Sequence, residues 1–420
     1  MQEIDNLRRE AELWCRLRFE QDGREYNITS FTSEKLCGLI EDLKNSEKIQ
    51  NEEPSDWEQI AALCDFPTQK SVPDRIKSRL AGALAGRFAG CTLGVLVEGW
   101  QVDRMEKHAA KDGTPFPPTE YWHTAENPEG VQYGVDKRTN YTLKGITRVP
   151  VDDDVTYTVL NLLLLEKYGL NYTTEDVAEL WKQVVPYACT AEDCALKRIR
   201  EGVSGKHAAE GNAFVEWSGA AIRADAFGYV CAGDPAAAAK LSYADAYLTH
   251  RRNGIYGEMY YAAMIAAAFT NAPLEAAKLA AGCIPRSCRL KKDIDWAFSL
   301  EGKFKDYRGA REFLDERFKG MNSVHIENNV CATIFALMLG EGDYTKSIAN
   351  SVAMGLDNDC NAATVGSVAG AHAGIEGIDK KWYEPFNGRV GTYIKGHEEC
   401  SLQDLTERFF KIYNDKGENT

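Results

Sequence analysis

The stretch that decides the fold runs from Arg79 to Trp100 and reads RLAGALAGRFAGCTLGVLVEGW. Gly82, Gly86, Gly90 and Gly94 recur every fourth residue, so on a helix they share one face. A glycine inside a helix costs about 1 kcal/mol relative to alanine. Four in register therefore predict that the backbone of another element approaches that face closely. Repeated GxxxG also occurs in membrane helices, but Arg79, Arg87 and Glu98 interrupt the apolar run, and a buried helix of a soluble protein is expected. A second stripe, Gly366, Gly370 and Gly374 in ATVGSVAGAHAG, has the same spacing far along the chain.

Around these stripes the 420-residue chain, 44% hydrophobic, is long enough to bury a sizeable core. Helical periodicity dominates from Thr156 to His372, including segments at Thr156–Tyr168, Asn212–Tyr229, Gly257–Thr270 and Asn361–His372, and few segments alternate with period two. An all-α fold is the expectation, a compact multi-helix bundle. Residues 1–70 read as short amphipathic helices broken at Asn45 to Pro54, an N-terminal accessory segment before a catalytic domain at 75–420. Between Gln101 and Pro150 lies an irregular stretch dense in Pro, Gly and aromatics, which fits either a lid or, around Val131 to Thr142, a short hairpin.

The net charge of −14 gives no basic excess to neutralise phosphates, so neither nucleic acid nor an anionic membrane is an expected partner. The first residues mix charges through their apolar positions, unlike a secretory signal. Twelve cysteines lack paired CxxC spacing and fit reduced thiols. A soluble, cytoplasmic protein is expected.

Chemistry concentrates in two acidic clusters. In VPVDDDVTYTVLNLLLLEKYG, Asp152, Asp153 and Asp154 stand just before an apolar-periodic helix. One aspartate suffices as an N-cap, whereas three adjacent like charges call for cations, most naturally divalent ions with hard oxygen ligands. In GLDNDCNAATVGSVAGAHAG, Asp357 and Asp359 flank Asn358 before another helix; the glycine and glutamate of a calcium loop are absent. Capping explains either cluster alone, but their similar setting suggests that five carboxylates meet at one or two ions. Glu98 ends the glycine-striped run, where a solvated terminus is the plainer reading. In VEWSGAAIRADAFGYV, Ser218 and Gly219 could offer amides to a phosphate, and Trp217 could stack on a base or fill the core. His250 fits a ligand contact or a structural histidine.

These blocks, in this order and spacing, resemble the ADP-ribosylglycohydrolase family, which includes ADP-ribosylarginine hydrolases and the dinitrogenase reductase-activating glycohydrolase. The resemblance runs from about Arg79 to Arg408. It implies a helical bundle with two neighbouring Mg²⁺ or Mn²⁺ ions held by Asp152, Asp153, Asp154, Asp357 and Asp359, with Glu98 and Asp153 as the catalytic acid and base in either order. It further implies that Trp217, Ser218 and Gly219 match the loop around the diphosphate of ADP-ribose, and that His250 contacts the ligand. Two departures stand out: Asp152 replaces a hydroxyl residue, and Cys360 replaces a threonine.

The implied activity is metal-dependent hydrolysis of the glycosidic bond between ADP-ribose and an acceptor, a protein side chain such as arginine or a small ADP-ribosyl conjugate. The rival readings are a nucleoside or ribosyl glycohydrolase on the same scaffold and a non-catalytic ADP-ribose-binding protein. A prenyl synthase motif is excluded because Thr156 occupies the position where DDxxD needs an acid.

Overall fold

In the computed structural model, which describes residues 2–44, 47–68 and 70–418, the two glycine stripes face each other. They belong to helices Ile76–Gly94 and Asn358–Ala373, packed antiparallel. A methyl group at Gly82 would overlap the carbonyl of Gly370, one at Gly86 that of Gly366, one at Gly90 that of Ala362, and one at Gly94 the backbone of Asp359. Reciprocally, a methyl at Gly366 or Gly370 would strike the carbonyl of Gly86 or Gly82. The stripes are thus a backbone-to-backbone contact without side chains between, which explains why glycine is tolerated in both helix interiors. Although the Ile76–Val97 stretch is long and apolar enough to cross a bilayer, 94% of its most apolar window lies inside the protein.

The architecture is all-α: the described residues include nineteen α-helices, short 3₁₀ stretches and two short antiparallel strand pairs. At the centre stands Asn253–Ala268, every residue of which is buried. Its sequence is apolar or small all round, as a helix enclosed on every side requires. Pro235–Thr249, Pro273–Ala280, Asp225–Val230, Ile326–Gly340 and Asn358–Ala373 pack around it.

Several expected boundaries move. The helix expected over Asn212–Tyr229 is instead a run of turns, a 3₁₀ stretch Ser218–Arg223 and a short helix Asp225–Val230. The chain turns there because the amide of Ser218 bonds to the carbonyl of Val324, far along the chain, and its hydroxyl to Asp357. The irregular stretch after Gln101 begins with a helix, Val102–Asp112, and contains the hairpin Val131–Gln132 with Asp136–Lys137. Asn45 and Ser46, at the start of the expected polar break, lie outside the described residues; Glu47–Glu52 is helical.

The N-terminal helices Gln2–Asp22 and Ser33–Lys44 form a second, smaller core. Leu7, Ala11, Trp14, Leu36 and Ile40 pack there with Phe214 and Trp217 from the main body.

The glycine contact generates a paired test. Gly90→Ala forces the two helices apart and should destabilise by about 3 kcal/mol in denaturant unfolding. Gly38→Ala, in the exposed middle of Ser33–Lys44 with nothing within 4 Å of the added methyl, should instead stabilise by up to about 1 kcal/mol. Equal effects at both positions would contradict the packing assigned to the stripe.

Candidate active site

The first acidic cluster sits at the entrance of helix Asp153–Tyr168. The chain leading to it is pinned: Val151 donates its amide to Asp136 Oδ2 at 2.7 Å, and the Tyr141 hydroxyl donates to the Val151 carbonyl at 2.5 Å. Asp152 is the N-cap, one oxygen accepting from the Asp154 amide at 3.0 Å. Its other oxygen is buried without a partner. Asp153 accepts from the Tyr133 hydroxyl at 2.8 Å. Asp154 is wholly buried, one oxygen paired with Arg87 at 2.9 Å and the other without a partner. The capping reading thus accounts for one oxygen of Asp152 and leaves the rest of the cluster unexplained.

The second cluster enters helix Asn358–Ala373 through Gly355 and Leu356, both left-handed at φ 74° and 69°. That conformation is strained for leucine, and such strain gathers at functional sites. Asp357 is the N-cap residue but makes no side-chain capping bond. Instead it accepts the Ser218 hydroxyl at 2.6 Å, while its amide donates to Asn329 Oδ1 at 3.2 Å. Asp359 lies against Gly94, so the glycine contact itself brings the second cluster beside the first glycine helix. Gly99 then donates its amide to the Leu356 carbonyl and to Asn358 Oδ1, fixing the turn that carries Glu98.

Side chains from both clusters converge. Cys91, Asp152 and Asp154 offer ligand atoms within 4.8 Å of one another, as do Asp154, Asp359 and Cys360, and Glu98, Asp357 and Asp359. Asp154 links the first two groups and Asp359 the last two, so the centre is continuous from a buried end at Cys91 to a mouth where Glu98 reaches solvent. The crowding is electrostatically unfavourable without cations. Burial, then neighbouring carboxylates, pushes Asp152 and Asp357 well above the carboxylate range, and Asp359 to about 6. Burial raises Asp154 despite Arg87. Asp359 is the main cause of the upward shift of Glu98, followed by desolvation. The unpartnered buried oxygens of Asp152, Asp154 and Asp359 fit hard divalent cations.

A family model for ADP-ribosylglycohydrolase matches residues 72–419. The chain belongs to the ADP-ribosylglycohydrolase family. A solved structure described as an ADP-ribosylglycohydrolase-related protein complex aligns over 81% of this chain and 98% of its own, at 17% identity and a TM-score of 0.49. No curated protein matches the sequence. Members of the family are glycohydrolases of the ADP-ribosyl type, generally metal-dependent.

Within this member of the family, the residues expected to grip the substrate are placed differently from the acids. Trp217 is buried in the N-terminal core, its ring 4.6 Å from that of Phe214 and its indole donating to Glu10 at 3.3 Å. The amides of Trp217 and Ser218 donate to the carbonyls of Phe214 and Val324, and so are not directed at a ligand. A methyl at Gly219 would meet the Glu192 carboxylate, which Arg223 holds at 2.6 Å. His250 is wholly buried, its Nδ1 2.6 Å from Thr249 Oγ1; burial, with Arg223 and Arg251 nearby, keeps its ring neutral. Of these residues, Ser218 reaches the acidic centre, through its hydrogen bond to Asp357.

Sequence reading missed Tyr133, Arg87 and Asn329. Tyr133 lies at the hairpin turn with φ 50°, followed by Gly134 at φ 67°. Its ring is flanked by Tyr393 and Tyr187 at 5.7 and 6.4 Å, and Tyr187 donates its hydroxyl to the Tyr133 carbonyl. A positively strained tyrosine has no periodicity to reveal it. Arg87 pairs with both Asp154 and Asp225, at 2.9 and 2.7 Å. A lone arginine on a small-residue helix was its available signal.

The charge crowding has a measurable consequence in metal-free protein. Asp359 titrates near 6 when folded and near 4 when unfolded. Between those values the native state keeps a proton that the unfolded chain has lost, so stability falls as pH rises and the penalty is complete above the folded value. Asp359→Asn abolishes this penalty. In the presence of a chelator, its unfolding free energy relative to wild type should increase from pH 4 to above pH 6 by roughly 3 kcal/mol. Parallel stability profiles for the two proteins would contradict the assignment.

Proposed function

We propose that this protein hydrolyses the glycosidic bond joining ADP-ribose to an acceptor, either a modified protein side chain such as arginine or a small ADP-ribosyl conjugate. The observation that carries the reading is the convergence of two remote acidic helix entrances on one centre, with buried carboxylate oxygens left without partners and Glu98 at the solvent side. Asp152, Asp153, Asp154, Asp357 and Asp359 would hold two divalent cations, Mg²⁺ or Mn²⁺. When bound, these supply Lewis-acid stabilisation of developing negative charge.

The remaining steps belong to the chain's own groups. Cleavage at the anomeric carbon develops positive charge on the ribose, which nearby carboxylates stabilise. Glu98 is open to solvent and to the acid cluster, so it can take a proton from an attacking water or return one to the leaving group. Asp153 is the other candidate for this work, oriented by the Tyr133 hydroxyl. Ser218 positions Asp357 by the 2.6 Å hydrogen bond.

A second reading, a nucleoside or small ribosyl glycohydrolase, is favoured by one feature: the amides of Trp217 and Ser218 are already spent within the protein, which weakens the case for a diphosphate grip. A comparison of substrates separates the two. Release of ADP-ribose from ADP-ribosylated arginine or modified protein, exceeding ribose release from free nucleosides, supports the first; the reverse order supports the second. Chelation should abolish activity and added divalent cations restore it. Glu98→Gln, Asp153→Asn and Asp359→Asn should each lower turnover by roughly 10²- to 10⁴-fold while the protein stays folded. Full activity in chelator, or in Asp359→Asn, would remove the acidic centre from the reaction.

A further inference from the structure

The two ends of the acidic centre differ in chemistry. At the mouth, Glu98, Asp357 and Asp359 offer only oxygen. At the inner end, the thiol of Cys91 joins Asp152 and Asp154, all three residues at most 1% exposed. Cys91 projects from the first glycine helix, one residue past Gly90, whose contact with Ala362 fixes that helix against its partner. Its position beside the carboxylates is therefore set by the backbone-to-backbone contact of the two glycine helices.

Two independent features indicate a cation at this inner end. Asp152 Oδ2 and Asp154 Oδ2 are each sealed from solvent and have no hydrogen-bond partner. A buried carboxylate oxygen left in that state is costly, and a bound ion satisfies it. The local charge also remains unbalanced. Asp154 and Asp225 both pair with Arg87, and Asp152 adds a third carboxylate; three acids against one guanidinium leave two formal negative charges. A divalent cation offsets them.

We propose that Cys91, Asp152 and Asp154 form a distinct inner metal position that takes a thiophilic divalent cation of the Zn²⁺ class, while the all-oxygen mouth takes a harder ion such as Mg²⁺ or Mn²⁺. The proposal rests on the reading of the acidic centre as a metal site. One thiolate and two carboxylates make a three-residue ligand set that suits Zn²⁺ better than Mg²⁺, because sulfur is a poor ligand for the harder ion. Without metal, burial and then the Asp152 and Asp154 carboxylates hold Cys91 as a thiol. Binding replaces the S–H bond by an S–metal bond and releases that proton to solvent, with no change of oxidation state. Asp152, where a hydroxyl residue was expected, then acquires a specific role: it supplies the extra negative charge and oxygen that the inner ion uses.

Cobalt(II), which substitutes for Zn²⁺ and reports sulfur ligation by colour, tests this on the full-length metal-free protein. The expected result is a thiolate-to-cobalt charge-transfer band in the near ultraviolet that Cys91→Ser eliminates and Cys360→Thr retains. Cys91→Ser should also weaken Zn²⁺ binding by at least roughly 10- to 100-fold, the scale of losing even an outer-shell partner, and leave Mn²⁺ binding unchanged. Retained Mn²⁺ binding verifies that the variant is folded. Wild type should release one more proton per Zn²⁺ bound than Cys91→Ser. A band that survives Cys91→Ser and disappears in Cys360→Thr would assign the thiolate to Cys360 and overturn the proposal. Cobalt bound through oxygen alone, lost in Asp359→Asn, would overturn it while leaving the metal-centre reading intact. Failure of Zn²⁺, Co²⁺ and Mn²⁺ all to bind would overturn both.

Discussion

The site depends on one contact, the backbone-to-backbone packing of helix Ile76–Gly94 against Asn358–Ala373. Side chains set the usual spacing of helices at 8–10 Å, whereas here successive glycines leave only carbonyls and Cα atoms between them. The contact ends where Gly94 meets Asp359. A helix pair held at ordinary separation would carry Asp359 away from Glu98 and Cys91, which come from the first helix and the turn after it. Geometry at the centre is therefore a consequence of packing between helices and does not reside in the acidic loops. Rigid elements fix a constellation better than loops do, and both acid clusters stand at helix entrances.

Against this rigid frame the acids are held in an unfavourable state. Buried like charges raise one another's proton affinity, and each carboxylate oxygen without a partner forgoes the hydration it had in the unfolded chain. The surrounding structure compensates in part: Arg87 pairs with Asp154, Ser218 with Asp357, Tyr133 with Asp153. Strain accumulates in the same region, at Leu356 immediately before Asp357 and at Tyr133 on the hairpin turn. Backbone strain of this kind persists only where neighbouring contacts over-determine the conformation. Here Asn329 receives the Asp357 amide and Tyr187 donates to the Tyr133 carbonyl, so both strained points are clamped by side chains from other elements.

The glycine stripes, the acid clusters and the all-helical class were legible in the sequence because each is a local pattern with a period or a run. Glu98 was legible as a position at the end of such a pattern, and the family resemblance supplied its setting. The surroundings of Trp217, Ser218 and His250 were not legible. A tryptophan beside Ser-Gly reads equally as a stacking surface or as core, and the choice depends on what covers it. The cover comes from Leu7, Ala11 and Trp14, some two hundred residues earlier. Likewise the expected helix over Asn212–Tyr229 gave way to turns because the Ser218 hydroxyl and amide bond to Asp357 and Val324, partners that no local propensity encodes.

That cover has an electrostatic side which ties the N-terminal helices to the centre. Glu10 accepts from the indoles of Trp14 and Trp217 and from Lys44, at 2.9, 3.3 and 2.9 Å. Lys44 also lies 3.7 Å from Glu216, which pairs with Arg289 at 2.8 Å. Glu53, from the same N-terminal segment, pairs with Arg289 at 3.0 Å. Charges buried in this way are tolerable only as a complete set, since removing one partner strands the others away from water, at about 3–5 kcal/mol for a buried pair. Glu10, Lys44 and Glu53 thus join the N-terminal helices to the buried charges of the main body. Trp217, held by Glu10, adjoins Ser218, which orients Asp357. The family match begins only at residue 72, so the helices that cover Trp217 lie outside the part of the chain that the family model matches.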